Sequence, residues 1–119
     1  MDQRLTKFKM EILVVDNGCM AEIRQVFDYF LHESTNPYLR SGHKLQYIPL
    51  CDNPGYAFGN NKGVAIGGSP RAKYLLSFND DIILSDENFI QNMLLLIESK
   101  RNAVAVGCKI VNSAGKNLQ

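Results

Sequence analysis

Hydrophobic and polar positions follow two different periods along the chain, and the shorter period predicts four strands. Apolar runs of strand length lie at 9–16, 45–50, 72–79 and 103–111. The first run is β-branched and ends at a polar break, which is typical of a buried strand. The second contains Pro49, which favours a position near an edge of the sheet or at a strand end.

A longer period separates these runs and predicts helices. Residues 21–32 carry an apolar face with helical spacing, and residues 87 to about 100 carry another, which Asp86 can cap. A weaker helix is predicted to begin near residues 59–60, where several glycines lower helix propensity. Residues 33–44 contain Asn-Pro and Ser-Gly pairs and predict a loop. The two strong helix faces are predicted to be core, and they consist of Ile23, Val26, Phe27, Phe30, Leu31, Phe89, Ile90, Met93, Leu94 and Ile97.

The alternation of strands and helices predicts an α/β fold with a mostly parallel sheet of about four strands. Helices are expected on both faces of this sheet, because its strands are continuously apolar. No repeat, low-complexity tract or linker interrupts the chain, so a single domain over 1–119 is expected. In open sheets of this class, ligands bind beyond the carboxyl ends of the strands.

Polar residues follow three of the four predicted strands. Asp16-Asn17-Gly18 ends the first, Asp52-Asn53-Pro54-Gly55 follows the second, and Asn79-Asp80-Asp81 ends the third. Parallel strands would place these residues on one edge of the sheet. Taken singly, such residues are most often solvated turns or helix caps, and Asp16 could cap the helix that follows it.

The chemistry of these residues suits a metal and a phosphate. Adjacent carboxylates at 80–81 repel each other and need hydration or a cation. Carboxylate oxygens with water and phosphate oxygens are the usual ligands of Mg²⁺ or Mn²⁺. The glycine- and asparagine-rich segment 53–63 lets the backbone approach a ligand closely, and a helix beginning there would direct amides at a phosphate. The pattern therefore indicates a nucleotide bound as a metal-chelated diphosphate.

The composition of the chain bears on which classes of partner it binds and on its cellular compartment. The 119 residues carry a formal net charge of +1, which favours neither nucleic acid nor a membrane surface. The apolar runs are too short for a membrane span, and the first residues lack the apolar core of a signal peptide. Three cysteines in no paired motif predict no disulfide framework, and therefore a reducing cytoplasm. Cys108 is predicted to be a buried small hydrophobe.

Four segments resemble one enzyme family. They are EILVVDNG at 11–18, NPGYAFGNNKG at 53–63, YLLSFNDDIIL at 74–84 and VAVGCKIVNSAGKNLQ at 104–119. In this order and at about this spacing, they resemble the nucleotide-binding half of family 2 glycosyltransferases with the GT-A fold, particularly rhamnosyltransferase-like members. The resemblance covers roughly residues 9–119.

The resemblance implies a role for each matching residue. Asp16 falls where the family contacts the nucleobase or ribose, and the glycine/asparagine motif that lines the nucleotide site falls on 53–63. The Asp-x-Asp-type motif falls on 79–81, with asparagine in its first position. Asp81 would hold the divalent metal, Mg²⁺ or Mn²⁺. The residues implied in nucleotide-sugar binding are Asp16, Asn53, Gly55, Asn61, Gly63, Asn79 and Asp80.

The implied reaction transfers a sugar from a UDP-, dTDP- or GDP-linked donor to a saccharide or lipid-linked acceptor. The family's first strand, its acceptor-binding region and the general base that an inverting transfer needs match nothing in this chain. A partial domain without its own catalytic base is therefore expected, acting in the cytoplasm or at the inner membrane face. Two alternatives remain: a non-catalytic nucleotide-binding remnant of the same fold, and a response-regulator receiver domain, for which the spacing from Asp16 to Asp81 is too long.

Overall fold

The computed structural model describes residues 8–32, 36–112 and 114–116, and these residues have α/β architecture. The chain divides into two compact units, Met1–Phe78 and Asn79–Gln119, and each is described by itself below. The elements, in chain order, are β1 Glu11–Asp16, α1 Ala21–Phe30, α2 Pro37–Arg40, β2 Lys44–Pro49, α3 Tyr56–Gly67 and α4 Phe89–Ser99.

The first unit is built on a parallel strand pair. β1 and β2 run parallel from Glu11 opposite Lys44 to Asp16 opposite Pro49. α1 and α2 lie between the two strands in sequence, so β1, α1 and β2 form a β-α-β unit. The α/β class, the parallel pairing and the first two strands agree with the sequence prediction, as do the helices after each strand. α2 is an addition, since it falls within the predicted loop at 33–44, of which 33–35 lie outside the described residues.

Helices contact both faces of this strand pair. On one face, the ring of Phe27 in α1 lies 5.2 Å from the ring of Tyr47 in β2, measured between centroids. Side chains of a strand alternate between faces, so Val15 of β1 and Ile48 of β2 point to the opposite face. There they meet α3. α1 thus reaches one face of the strand pair through Phe27, and α3 packs on the other.

α3 packs closely on the strand pair because three of its glycines face it. A Cβ atom added to Gly59, Gly63 or Gly67 would come within 2.5 Å, 2.4 Å and 2.7 Å of Asn17, Val15 and Ile48, respectively. These glycines recur every four residues, so they share one side of the helix. Their absent side chains let the helix backbone approach the sheet, which explains a glycine-rich helix of low intrinsic propensity.

The buried core of the described residues is small. Its apolar members are Phe27, Ile48 and Leu50. The other apolar residues of the predicted α1 face are exposed, so that part of the core prediction is wrong: they are Ile23, Val26, Phe30 and Leu31. The helical period was right, but it shows only which residues share a face and not what covers them.

The predicted third and fourth strands are not strands in the described residues. Segments 72–79 and 103–111 have no strand ladder, and residues 71–87 are all exposed. An apolar run predicts burial, but a strand forms only where a neighbouring strand completes its backbone hydrogen bonds. The described residues contain a two-stranded sheet, β1–β2, in place of the four strands predicted.

The second unit contains α4, which confirms the predicted helix at 87–100. Asp86 precedes it, and its carboxylate accepts hydrogen bonds from the Asn88 amide and the Asn92 side chain, both at 2.8 Å. The prediction that Asp86 caps the helix is wrong, because the N-cap residue is Asn88 and no side chain caps the first amides of α4; Asp86 instead holds the turn that leads into the helix. The five residues of the predicted α4 face are half-buried, whereas Leu95 and Leu96 on other sides are exposed. No helix in the described ranges is long and apolar enough to cross a membrane.

Candidate functional site

The carboxyl ends of β1 and β2 bring two polar loops together, and we call this region the carboxyl edge. It comprises residues 16–20, between β1 and α1, and residues 50–56, between β2 and α3. The Leu50 amide donates a hydrogen bond of 2.7 Å to the Asp16 carbonyl, which extends the parallel ladder by one step. The first two predicted polar strand exits therefore share one edge, as expected from the parallel sheet.

A disulfide joins the two loops. Cys19 and Cys51 are bonded, with their Cα atoms 4.8 Å apart and a sequence separation of 32. The prediction of no disulfide was wrong because it relied on sequence motifs. The two cysteines follow adjacent parallel strands by three and two residues, and the strand register brings them together. The cysteine argument for a reducing cytoplasm therefore fails, since disulfides persist mainly in oxidising compartments.

The carboxylate of Asp16 organises the turn between β1 and α1. It is 6% exposed. Oδ1 accepts hydrogen bonds from the amides of Gly18 and Cys19 at 2.9 and 3.1 Å, and Oδ2 accepts one from Met20 at 3.1 Å. Consecutive amides that converge in this way form a concave anion site, and here the chain's own carboxylate fills it. Cys19 has φ +52°, an uncommon value outside glycine that this arrangement requires.

Tyr47 completes the set of donors around Asp16. Its hydroxyl donates a hydrogen bond to Oδ2 of the carboxylate. Its ring contacts Phe27, and the Arg24 guanidinium lies 5.3 Å from the ring centroid. A carboxylate offers about four lone-pair directions, and four donors now occupy them. A ligand that hydrogen-bonds Asp16 would have to displace one of these donors, so the structure favours the helix-entry role that the sequence left open.

These contacts perturb the titration of both groups. Burial raises the pKa of the Asp16 carboxyl, but the hydrogen bonds from Tyr47 and from three backbone amides outweigh it. The pKa of Asp16 therefore lies below its ordinary 3.8. The same hydrogen bond, with burial and the Asp16 charge, raises the pKa of the Tyr47 hydroxyl above its ordinary 10.0. Asp16 is consequently ionised, and Tyr47 protonated, across the physiological range.

The second loop carries two of the predicted nucleotide-site residues. Asn53 and Gly55 are exposed and have φ angles of +41° and +87°. Glycine tolerates such a conformation without strain, and asparagine tolerates it better than most residues. α3 begins directly after them, so its first amides lie at the carboxyl edge. Tyr56 and Phe58 in its first turn are 59% and 57% exposed, and are therefore not core residues.

The two remaining predicted residues of this segment lie along α3. Asn61 is exposed in the second turn. Gly63 is buried against Val15, about 10 Å along the helix from Tyr56 at 1.5 Å per residue. Close packing on β1 explains this glycine without a ligand, and its contact with a nucleotide stays a prediction.

The predicted metal motif belongs to the second unit. Asn79, Asp80 and Asp81 are exposed and lie at a turn. Among the described residues, no group of three or more His, Cys, Asp or Glu side chains is placed to hold a metal ion. Mg²⁺ in nucleotide sites commonly takes only one or two carboxylates, with phosphate oxygens and water as the other ligands. The turn therefore fits a metal that arrives with a phosphate better than a metal bound by protein alone.

Sequence reasoning missed several residues of the carboxyl edge. Cys19 and Cys51 were passed over because no motif pairs them, although each lies within three residues of the end of a predicted strand. Tyr47 was missed because its position beside Asp16 depends on the register between β1 and β2. Cys108, predicted to be buried, is exposed and is the free cysteine.

Comparison of the sequence with protein-family models found no match, and comparisons with curated proteins and with solved structures also found none.

Proposed function

We propose that this chain binds a nucleotide sugar and is part of a GT-A-type glycosyltransferase. The observation that carries the proposal is the carboxyl edge, where polar loops follow two adjacent parallel strands and α3 begins. In open α/β sheets this edge is the usual ligand position. The order of the four sequence segments that resemble the family supports the same assignment.

Within this proposal, the two loops have different tasks. The amides of the turn after β1 are engaged by Asp16, so this turn shapes the edge and is not offered to a phosphate. The start of α3 is better suited, because the first amides of a helix lack intrahelical partners and attract anions. The exposed rings of Tyr56 and Phe58 are available to stack on a base. We therefore assign donor contact chiefly to Asn53, Gly55 and the first turn of α3.

The divalent metal is a separate part of the proposal. Mg²⁺ or Mn²⁺ would be held at Asn79-Asp80-Asp81, with Asp81 as the principal protein ligand. Bound there with a diphosphate, the ion would stabilise negative charge on the departing nucleoside diphosphate. No residue of this chain is assigned as general base. The sugar acceptor, whether saccharide or lipid-linked, is part of the proposed reaction and not of the proposed binding site.

Calorimetry tests this proposal. UDP-, dTDP- and GDP-linked sugars are titrated into the chain with and without Mn²⁺. At least one donor is expected to bind with Mn²⁺, and Asp81→Asn should weaken that binding about tenfold or more, an ion-pair loss of roughly 1.4 kcal/mol or more. Asp28→Asn is the matched control, because it removes one exposed carboxylate on α1, outside both regions.

A second variant tests the carboxyl edge. Asn53→Gly keeps the positive φ accessible but removes the side-chain amide, so it should weaken donor binding without changing stability much. The absence of binding by any donor would refute the proposal. Donor binding that changes neither with Mn²⁺ nor with Asp81→Asn would contradict the metal part of the proposal.

A further inference from the structure

The Cys19–Cys51 disulfide joins two loops that are otherwise held very differently. The turn at 18–20 is fixed by three amide hydrogen bonds to Asp16, independently of the disulfide. In the described residues, no hydrogen bond of normal geometry involves residues 51–54. The neighbouring anchors are the Leu50 amide, bonded to Asp16, and the Gly55 carbonyl, which accepts the Gly59 amide at 2.8 Å. The disulfide is therefore the link that ties the centre of the second loop to the rest of the unit.

The two cysteines of the disulfide differ in exposure. Cys51 is exposed, whereas Cys19 is half-buried. Exchange would begin at the more exposed residue: a small thiolate attacks the sulfur of Cys51, forming a mixed disulfide and releasing Cys19 as a thiolate, which takes up a proton. A second thiolate then attacks the outer sulfur of the mixed disulfide and releases Cys51. The protein disulfide gains two electrons, and two small thiols become one small disulfide.

We propose that Cys19–Cys51 is a reversible thiol–disulfide switch for the loop between β2 and α3. The oxidised form holds residues 51–54 against the β1–α1 turn. Reduction by a small thiol such as glutathione releases them, while the turn at 18–20 stays ordered on Asp16. Only the loop between β2 and α3 is released, because the turn at 18–20 is also held by its hydrogen bonds to Asp16. This inference does not depend on the proposed function of the carboxyl edge.

The test uses the full chain with Cys108→Ser, which removes the exposed free cysteine of the second unit and changes no residue of the first. Reduced glutathione should open the disulfide and oxidised glutathione should close it again, as counted by free thiols. Backbone order parameters from nuclear magnetic resonance report the loops. Residues 51–53 are expected near 0.85 when oxidised and below about 0.6 when reduced. Residues 18–20 should stay near 0.85 in both states.

The matched control is the same chain with Cys19→Ser and Cys51→Ser. It should show the reduced-form loop values at every glutathione ratio. Three outcomes would overturn the proposal. They are unchanged order at 51–53 after reduction, simultaneous loss of order at 18–20 or in the β1–β2 ladder, and failure of the disulfide to re-form. The second outcome would mean that the disulfide holds the whole unit together and is no switch.

Discussion

Replacing Gly63 by alanine is expected to destabilise the chain, although alanine is the better helix former. In an unhindered helix this change stabilises by about 1 kcal/mol. Here the new Cβ would lie 2.4 Å from Cγ2 of Val15. Overpacking costs about 1–3 kcal/mol, and the upper end applies because a valine side chain is stiff at χ1 and cannot swing aside. The expected net loss in the free energy of unfolding is about 2 kcal/mol.

A second substitution should reverse the sign of this effect. Val15→Ala removes both γ-carbons, and the nearest remaining Val15 atom is its Cβ, 3.6 Å from the new methyl group. That distance is an ordinary van der Waals contact. In the Val15→Ala background, Gly63→Ala should therefore stabilise the chain by about 1 kcal/mol. The coupling energy between the two sites is then about 3 kcal/mol.

Urea unfolding of the four chains of this double-mutant cycle measures the coupling, with the disulfide kept oxidised throughout. Circular dichroism follows the transition, and hydrogen exchange of the β1 and β2 amides confines the result to the first unit. Ala65→Gly, at an exposed position of the same helix, is the control. It should cost about 1 kcal/mol and show no dependence on Val15.

The reasoning fails if Gly63→Ala stabilises the chain that still contains Val15. It also fails if the coupling energy is below about 0.5 kcal/mol, the range in which independent sites add. Either result would mean that α3 can move away from β1 at little cost. The glycines would then need an explanation other than close packing.

Two further predictions concern the carboxyl edge. Because the folded chain has a lowered pKa at Asp16, stability is fully present above the ordinary value of 3.8 and is lost as the pH falls below it. Urea unfolding midpoints measured between about pH 5 and pH 2 should show this loss of stability. Tyr47→Phe should make the loss smaller, because it removes one hydrogen-bond donor to Asp16. If the midpoint of Asp16→Asn depends on pH as strongly as that of the unchanged chain, Asp16 is not the group responsible. Reduction of Cys19–Cys51, whose cysteines have a sequence separation of 32, should lower the free energy of unfolding by roughly 3–4 kcal/mol at neutral pH. A midpoint unchanged by reductant would contradict this prediction.

The elements that could be predicted from the sequence are those whose signal is local. β1 and the start of α1 were predicted because a β-branched run and a helical period lie side by side. The parallel pairing of β1 with β2 followed from the helix between them. The apolar face of α4 was also placed correctly around the helix, since helical phase depends on spacing alone.

The features that could not be predicted depend on partners distant in sequence. Segments 72–79 and 103–111 have the composition of strands, but composition does not supply a neighbouring strand. The burial expected for α1 was wrong at all positions but Phe27, because periodicity does not identify what covers a face. The bond between Cys19 and Cys51 depends on the register of two strands. Asp16 was predicted to be important, but its four donors became visible only with the turn that surrounds it.

The glycine repeat of α3 also bears on how this helix is positioned along the sheet. Four helical residues advance about 6 Å and two strand residues about 6.6 Å, so Gly59, Gly63 and Gly67 approach Asn17, Val15 and Leu13 in turn, along β1 and its exit. A shift of α3 by one turn, about 5.4 Å, would again place glycines opposite the strand. The contact is therefore nearly periodic and does not choose one alignment. The short connection from Pro49 to Tyr56, held at Cys51, makes that choice, so about two extra residues there would be enough to allow a one-turn slip.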